Sequence, residues 1–409
     1  MDIERPPINY SSATPDNPVS RLQDLLNSGN TVLTYEEDHG YLASILFQLG
    51  ISPESQILVF SKTSFQPQKI SPYRPRAVYF GDDVYVGWVQ QGDVLEISTV
   101  DPQLGAVFYT LKQEVTKTPS FVRDRGQCIT CHASSRTSNV PGHLVRSVYP
   151  AQSGQPRFDA GTFTTDYRSP LLERWGGWYV TGTHGKQRHM GNVIARDREN
   201  PENLDVEAGA NVTDLRDLLN TSSYLSSHSD IVALMVLEHQ IRMHNLITQA
   251  SFESRSACHY DRIMNEALQR PLDQRSESTI RRIDAAVEEL VDCLLFVDEY
   301  HLQDPVHGTS LFTEKFSARG PRDSQGRSLY QLDLSQRLMK YPCSYLIYSE
   351  PFAGMPAVTK QQVYQRLFDI LSGTDTHNKY VHLTSADRQT ILEILRDTKT
   401  DLPDYWMKN

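Results

Sequence analysis

The sequence predicts an α+β fold: an N-terminal antiparallel β-meander, an irregular centre and a helical C-terminal half. Three observations carry this. Apolar residues alternate with period two between Ile57 and Leu111, a loop-rich stretch follows, and helical periodicity dominates after Ser229. The first 20 residues, rich in Pro, Ser and Asn, read as an irregular arm. Short helices are expected near Val19–Asn27 and Tyr41–Leu49. Five short runs rich in β-branched and aromatic residues follow: Ile57–Phe60, Ala77–Phe80, Val84–Val89, Val94–Ile97 and Ala106–Tyr109. Turn signals such as Gly81-Asp82-Asp83 separate them, which is the pattern of a meander. Further helices are expected at Ser229–Leu268, with Ser229 as N-cap, and at Ser276–Tyr300, Leu332–Tyr341, Lys360–Leu371 and Ser385–Thr398. The regions divide at 1–119, 120–228 and 229–409, within what can be one compact domain.

The chain has 409 residues, 40 basic and 50 acidic, for a formal charge of −10. An acidic whole argues against nucleic acid, whose binders show a basic surface. It favours a positively charged partner. The longest apolar run, Ile231–Leu237, has seven residues, whereas a membrane span needs about twenty. Met1-Asp2-Ile3-Glu4-Arg5-Pro6-Pro7 carries no recognisable export leader.

Of five cysteines, only Cys128 and Cys131 are close together, and His132 follows directly. Cys128-Ile129-Thr130-Cys131-His132 has the spacing of c-type haem attachment. Two thiols on one turn can meet the two vinyl groups of a porphyrin edge, and the next residue can place an imidazole beneath the ring as iron ligand. A zinc site would need a second ligand pair, and Cys258-His259 is the only other adjacent one. A thiol-redox pair would follow a buried strand, whereas Arg123–Gln127 reads as loop. Cys293 and Cys343 look like small buried hydrophobes, with a disulfide between them left open.

The motif is followed by Ala133–Thr137, by Val140-Pro141-Gly142-His143-Leu144-Val145-Arg146-Ser147-Val148 and by Arg174-Trp175-Gly176-Gly177-Trp178-Tyr179-Val180-Thr181-Gly182-Thr183-His184-Gly185. Then come Arg188–Asn192, Ser229–Leu234, Glu238-His239-Gln240 and Tyr341–Ser349. From about residue 50 to the end, this resembles a family of bacterial proteins described only as containing a cytochrome c-type haem motif. The resemblance implies one haem c attached at Cys128 and Cys131 with His132 as iron ligand. It supplies no substrate. Because covalent haem attachment occurs outside the cytoplasm, it implies a periplasmic or otherwise exported protein.

On the other face of the iron, His184, His189 and Met190 are the candidate ligands, among glycines that allow close approach. Arg188 and His189 are the candidate catalytic pair, since peroxide chemistry uses a base and a cation. His239 is a further candidate ligand, on a helix where Glu238 and Arg242 are spaced to pair. His239 and His244 lie about 140° apart around that helix, poorly placed to share a metal. Arg136, His143 and Arg146 are expected near the haem edge or propionates. Length beyond a simple carrier points to a haem-dependent oxidoreductase of peroxidase or oxygenase type, acting with a redox partner protein or a small oxidant. The alternatives are an electron-transfer cytochrome with a closed six-coordinate haem, and a zinc or thiol-redox protein.

Overall fold

The structure is a computed structural model describing residues 2–407. Its strands are β1 Ile57–Val59, β2 Arg76–Phe80, β3 Val84–Trp88, β4 Val94–Asp101, β5 Gly105–Lys112, β6 Val122–Arg123, β7 Val145–Val148, β8 Thr162–Thr165 and β9 Trp178–Tyr179. Its helices are α1 Pro18–Asn27, α2 Leu42–Gln48, α3 Ile129–His132, α4 Ile231–Ala267, α5 Glu277–Leu294, α6 Phe312–Ser317, α7 Glu350–Ala353, α8 Ala357–Leu371 and α9 Ser385–Thr398. The fold is α+β as the patterning predicts. The meander forms an antiparallel sheet in the order β6-β5-β4-β3-β2-β1-β9, and β7 and β8 form a separate pair. The outer strands β6 and β9 come from the region 120–228, so sheet and centre are joined by hydrogen bonds. Among the described residues no helix is long and apolar enough to cross a membrane.

Strand register decides what each face of the sheet carries. Tyr85 pairs with Ser98 and Ser98 with Phe108, so these three line one face. Val86, Ile97 and Tyr109 line the other. The second face packs on α1, α2 and the N-terminal arm. The first continues towards the apolar core around α4, α5, α8 and α9. The polar residues Ser98 and Tyr85 therefore face a buried interior, where each needs a partner.

Four local expectations are corrected. Asp230, not Ser229, caps α4: its carboxylate accepts from Val232 N. Ser229 Oγ instead accepts from Leu58 N and donates to Tyr179 O, tying the helix entry to the sheet. Helix α5 ends at Leu294 rather than Tyr300, because Phe296 and Asp298 take left-handed backbone. Residues 332–341 form a loop. Asp333 Oδ1 accepts from Ser335 N and Gln336 N, a local turn that competes with helix, and Leu334 has φ +62°. Glu238 pairs with Arg174, not Arg242, which faces Asp166 at 3.4 Å. Cys293 and Cys343 are both buried, free thiols.

Candidate functional site

The chain reaches the motif from β6, and Asp124 N then donates to Phe108 O at the edge of β5. The Asp124 carboxylate accepts from Gly126 N (3.1 Å) and Cys128 N (2.9 Å), which starts the turn. His132 N donates to Cys128 O at 2.9 Å, closing α3. Both thiols therefore sit on one helical turn, Cys131 exposed and Cys128 partly buried, and both are free. Burial and the neighbouring Asp124 carboxylate push the Cys128 thiol up to about 12. A thiol-redox centre needs the opposite shift, towards thiolate.

His132 is held by a reciprocal clamp. Its Nδ1 lies 2.9 Å from Gly142 O, and Gly142 N donates back to His132 O at 2.8 Å. A carbonyl only accepts, so Nδ1 carries the proton and Nε2 keeps its lone pair. That is the tautomer a metal-ligating histidine adopts, with the second nitrogen anchored to a carbonyl. Burial lowers the ring's pKa, which favours the neutral form that ligates. The ring packs on Phe108 at 4.8 Å and lies 6.4 Å from His143.

Gly142 is itself positioned by α4. Asn245 Oδ1 accepts from His143 N (3.0 Å) and Asn245 Nδ2 donates to His143 O (2.8 Å). A Cβ on Gly142 would lie 2.2 Å from Asn245 Oδ1, so the approach requires glycine. Thr137 Oγ1 braces the same loop against Val140 O at 2.9 Å. His143 Nε2 meets Ser98 Oγ at 2.8 Å, and its ring packs on Tyr85 at 4.4 Å. Sequence reasoning missed Asn245, Thr137, Ser98 and Tyr85. The available signal was Asn245 as a polar residue on an otherwise buried helix, where it must be bonded to something.

Charged groups border the motif. Arg76 on β2 faces Glu96 on β4 at 3.3 Å, and its buried Nε has no hydrogen-bond partner among the described residues. Arg146 donates from Nε to Thr162 Oγ1 at 3.0 Å, lies over the Phe158 ring and is held at lower pKa by burial and by Arg136. These residues fit a haem c. They comprise two free thiols on one turn, an imidazole with an unengaged Nε2, and three arginines, of which Arg76 is paired with Glu96. Among the described residues no group of three or more His, Cys, Asp or Glu side chains converges to hold a metal, so no protein-only zinc site is built here.

Other predicted site residues, His184, Arg188, His189, Met190 and His239, make local contacts of their own. Among the described residues, no hydrogen bond or ring contact joins His132 to residues 184–190. Both ring nitrogens of His184 are engaged, Nδ1 with Gln187 O (2.8 Å) and Nε2 with Asn211 N (3.0 Å). Arg188 pairs with Glu207 through two bonds of 2.8 and 2.7 Å. His189 Nδ1 accepts from Gly191 N, its ring packs on Trp175 and His184, and burial pulls its pKa down to about 3. Met190 Sδ accepts from Ser147 Oγ at 3.6 Å. His239 Nε2 meets Ser344 Oγ at 2.8 Å and the ring stacks on Phe296 at 4.1 Å. The segment 184–190 has little secondary structure of its own, so its side chains satisfy the backbone that helices and strands would satisfy elsewhere.

Comparison with models of known protein families, with curated proteins and with solved structures finds no match.

Proposed function

We propose that the chain carries one covalent haem c at Cys128 and Cys131, with His132 Nε2 as the axial ligand, and acts as a haem-dependent oxidoreductase. The observation that carries this is the Nδ1–Gly142 carbonyl bond of 2.9 Å, which leaves Nε2 to the metal on the turn that bears both thiols. Cys128 and Cys131 would hold the haem as thioethers to its two vinyl groups, an addition in which the thiol proton would go to the second vinyl carbon and no oxidant would be needed. Once bound, the haem supplies one-electron chemistry and, with an open sixth position, reaction with peroxide or oxygen.

The chain's own residues orient and neutralise. Gly142 and Asn245 set the imidazole plane, Phe108 packs against the ring, and Arg136 and Arg146, with Arg76 beside Glu96, would supply positive charge for the haem carboxylates. The oxidoreductase reading is favoured over a closed carrier because the chain is far longer than a simple carrier needs, and because the lone pairs of His184 and His189 already accept from Asn211 N and Gly191 N. An external reductant is then required. A redox protein with a positive face would suit the chain's charge of −10. Covalent attachment also places assembly in an exported compartment, periplasmic in a bacterium.

The test is the purified protein on a denaturing gel stained for haem, with the Cys128→Ala, Cys131→Ala double variant beside it. Stain in the wild type alone supports the reading, whereas stain in both or in neither overturns it. Carbon monoxide binding to the reduced protein without ligand displacement marks the open site. An unchanged spectrum marks a carrier.

A further inference from the structure

The polar residues on the core-facing side of the sheet form a chain leading away from His132. Its ring lies 6.4 Å from His143, with Phe108 packed against both. His143 packs on Tyr85, with ring centroids 4.4 Å apart. Tyr85 is thus two ring contacts from the proposed iron ligand, and it is almost wholly buried.

Its hydroxyl has a determined hydrogen-bond direction. Gln240 Nε2 donates to Gly81 O (2.8 Å), and Gln240 Oε1 accepts from the Tyr345 hydroxyl (2.6 Å), which fixes the amide orientation. The same Nε2 donates to the Tyr85 oxygen at 3.0 Å. The Tyr85 proton must therefore point to its other partner, His244 Nδ1, at 2.8 Å. His244 then carries its own proton on Nε2, which faces Asp83 Oδ1 at 3.3 Å. Among the described residues neither of those two atoms has a hydrogen-bond partner of full geometry, so the imidazole has a carboxylate waiting beside it. A buried phenol with a base at hydrogen-bond distance, and a carboxylate behind that base, is arranged to lose a proton in a defined direction.

We propose that Tyr85 is a one-electron redox site serving the haem, with His244 as its proton acceptor and Asp83 as the counter-charge. This inference rests on the haem reading of Cys128–His132. The step balances as follows: Tyr85 gives one electron to a haem oxidised by hydrogen peroxide, and its phenolic proton moves to His244 Nδ1. The products are a neutral tyrosyl radical and a His244 imidazolium held by Asp83. Reduction of peroxide to two waters takes two electrons and two protons. Tyr85 supplies one electron, and a reduced redox protein supplies the other. Burial pushes the phenol's pKa well up, so loss of the electron and the proton must be coupled.

The test is electron paramagnetic resonance of the haem-loaded full chain, frozen after mixing with hydrogen peroxide. The wild type should give an organic radical whose signal narrows when tyrosine is ring-deuterated. Tyr85→Phe should lose it while keeping the resting haem spectrum. Tyr109→Phe, on the opposite face of the sheet, should keep it. His244→Gln should slow radical formation by about 10²-fold, the lower end of what a positioned base contributes. A radical of wild-type yield in Tyr85→Phe, or none in the wild type while the haem reacts, overturns the proposal. If the chain carries no covalent haem, the reading of the motif fails separately. Oxidation of the same chain by a photo-excited ruthenium complex then judges Tyr85 directly. A radical present in the wild type and absent in Tyr85→Phe supports the site, and no radical in the wild type overturns it.

Discussion

Two histidine-bearing segments of this chain look alike in composition and differ in structure. The segment 128–143 holds two free thiols and an imidazole with one nitrogen anchored and the other unengaged. The segment 184–190 holds two histidines, an arginine and a methionine, each engaged with a neighbour. The two segments thus both offer histidine and sulfur ligands and differ in leftover bonding capacity. A side chain whose lone pairs already satisfy the backbone cannot ligate a metal without exposing a buried polar group, at about 1–3 kcal/mol.

The largest expected effect lies in the satisfied region. Arg174 and Glu238 form a buried ion pair at 2.9 Å, completed by the Thr165 hydroxyl and the carbonyls of Tyr167 and Ser169. Arg174→Met leaves Glu238 buried without its cation and should cost about 3–5 kcal/mol. Urea unfolding measures this, and the haem spectrum of the folded variant should be unchanged. A spectral change of the kind a ligand swap produces would break the separation between the two segments.

Next comes the clamp. Asn245→Ala removes both bonds to the His143 backbone and should cost about 1–3 kcal/mol for each group left unpaired. Gly142→Ala forces the same contact apart. Both should also move the haem spectrum, because the His132 plane loses its support, and that joint response distinguishes them from Arg174→Met.

His184→Ala should cost about 0.5–1.5 kcal/mol for each lost hydrogen bond, with visible spectrum and peroxide rate unchanged. His189→Ala and Met190→Leu should likewise leave both readouts alone. A low-spin to high-spin change in any of the three would restore that residue as the sixth ligand.

The remaining comparison is read in pH. Burial lowers the His239 imidazole to about 3 from its ordinary 6.5, so between those values the unfolded chain binds the extra proton. Stability contributed by this group is full above pH 6.5 and is lost as the pH falls, by at most about 1.4 kcal/mol per pH unit. His239→Gln should therefore unfold less steeply with acid than wild type, as read by urea midpoints above pH 6.5 and near pH 3. Equal acid slopes would mean that His239 is protonated in the fold and is not a core group.

The resemblance to haem-motif proteins named the same turn that the geometry favours, but for different reasons. Spacing alone puts Cys128, Cys131 and His132 on one turn, since that depends only on helix pitch. Period two puts Tyr85, Ser98 and Phe108 on a common face once the strands are in register. Helix 385–398 was legible to the residue, because a polar start and an apolar stripe are local features. Residues 332–341 were not, because a side-chain turn at Asp333 outcompetes a weak helical pattern.

What the amino-acid order determined by itself was the strongly patterned local structure: the meander, the long helix beginning near residue 230, and the Cys128–His132 turn. Tertiary structure alone decided how each histidine is oriented and which of its nitrogens is bonded. His132 lies eleven residues from His143 in sequence, yet its orientation depends on Asn245, more than a hundred residues away on α4. His184 is engaged by Asn211 across a loop that no periodicity describes. Hydrogen-bond capacity is assigned by whichever partners the fold brings within about 3 Å, and that pairing is not encoded in any one window of the chain.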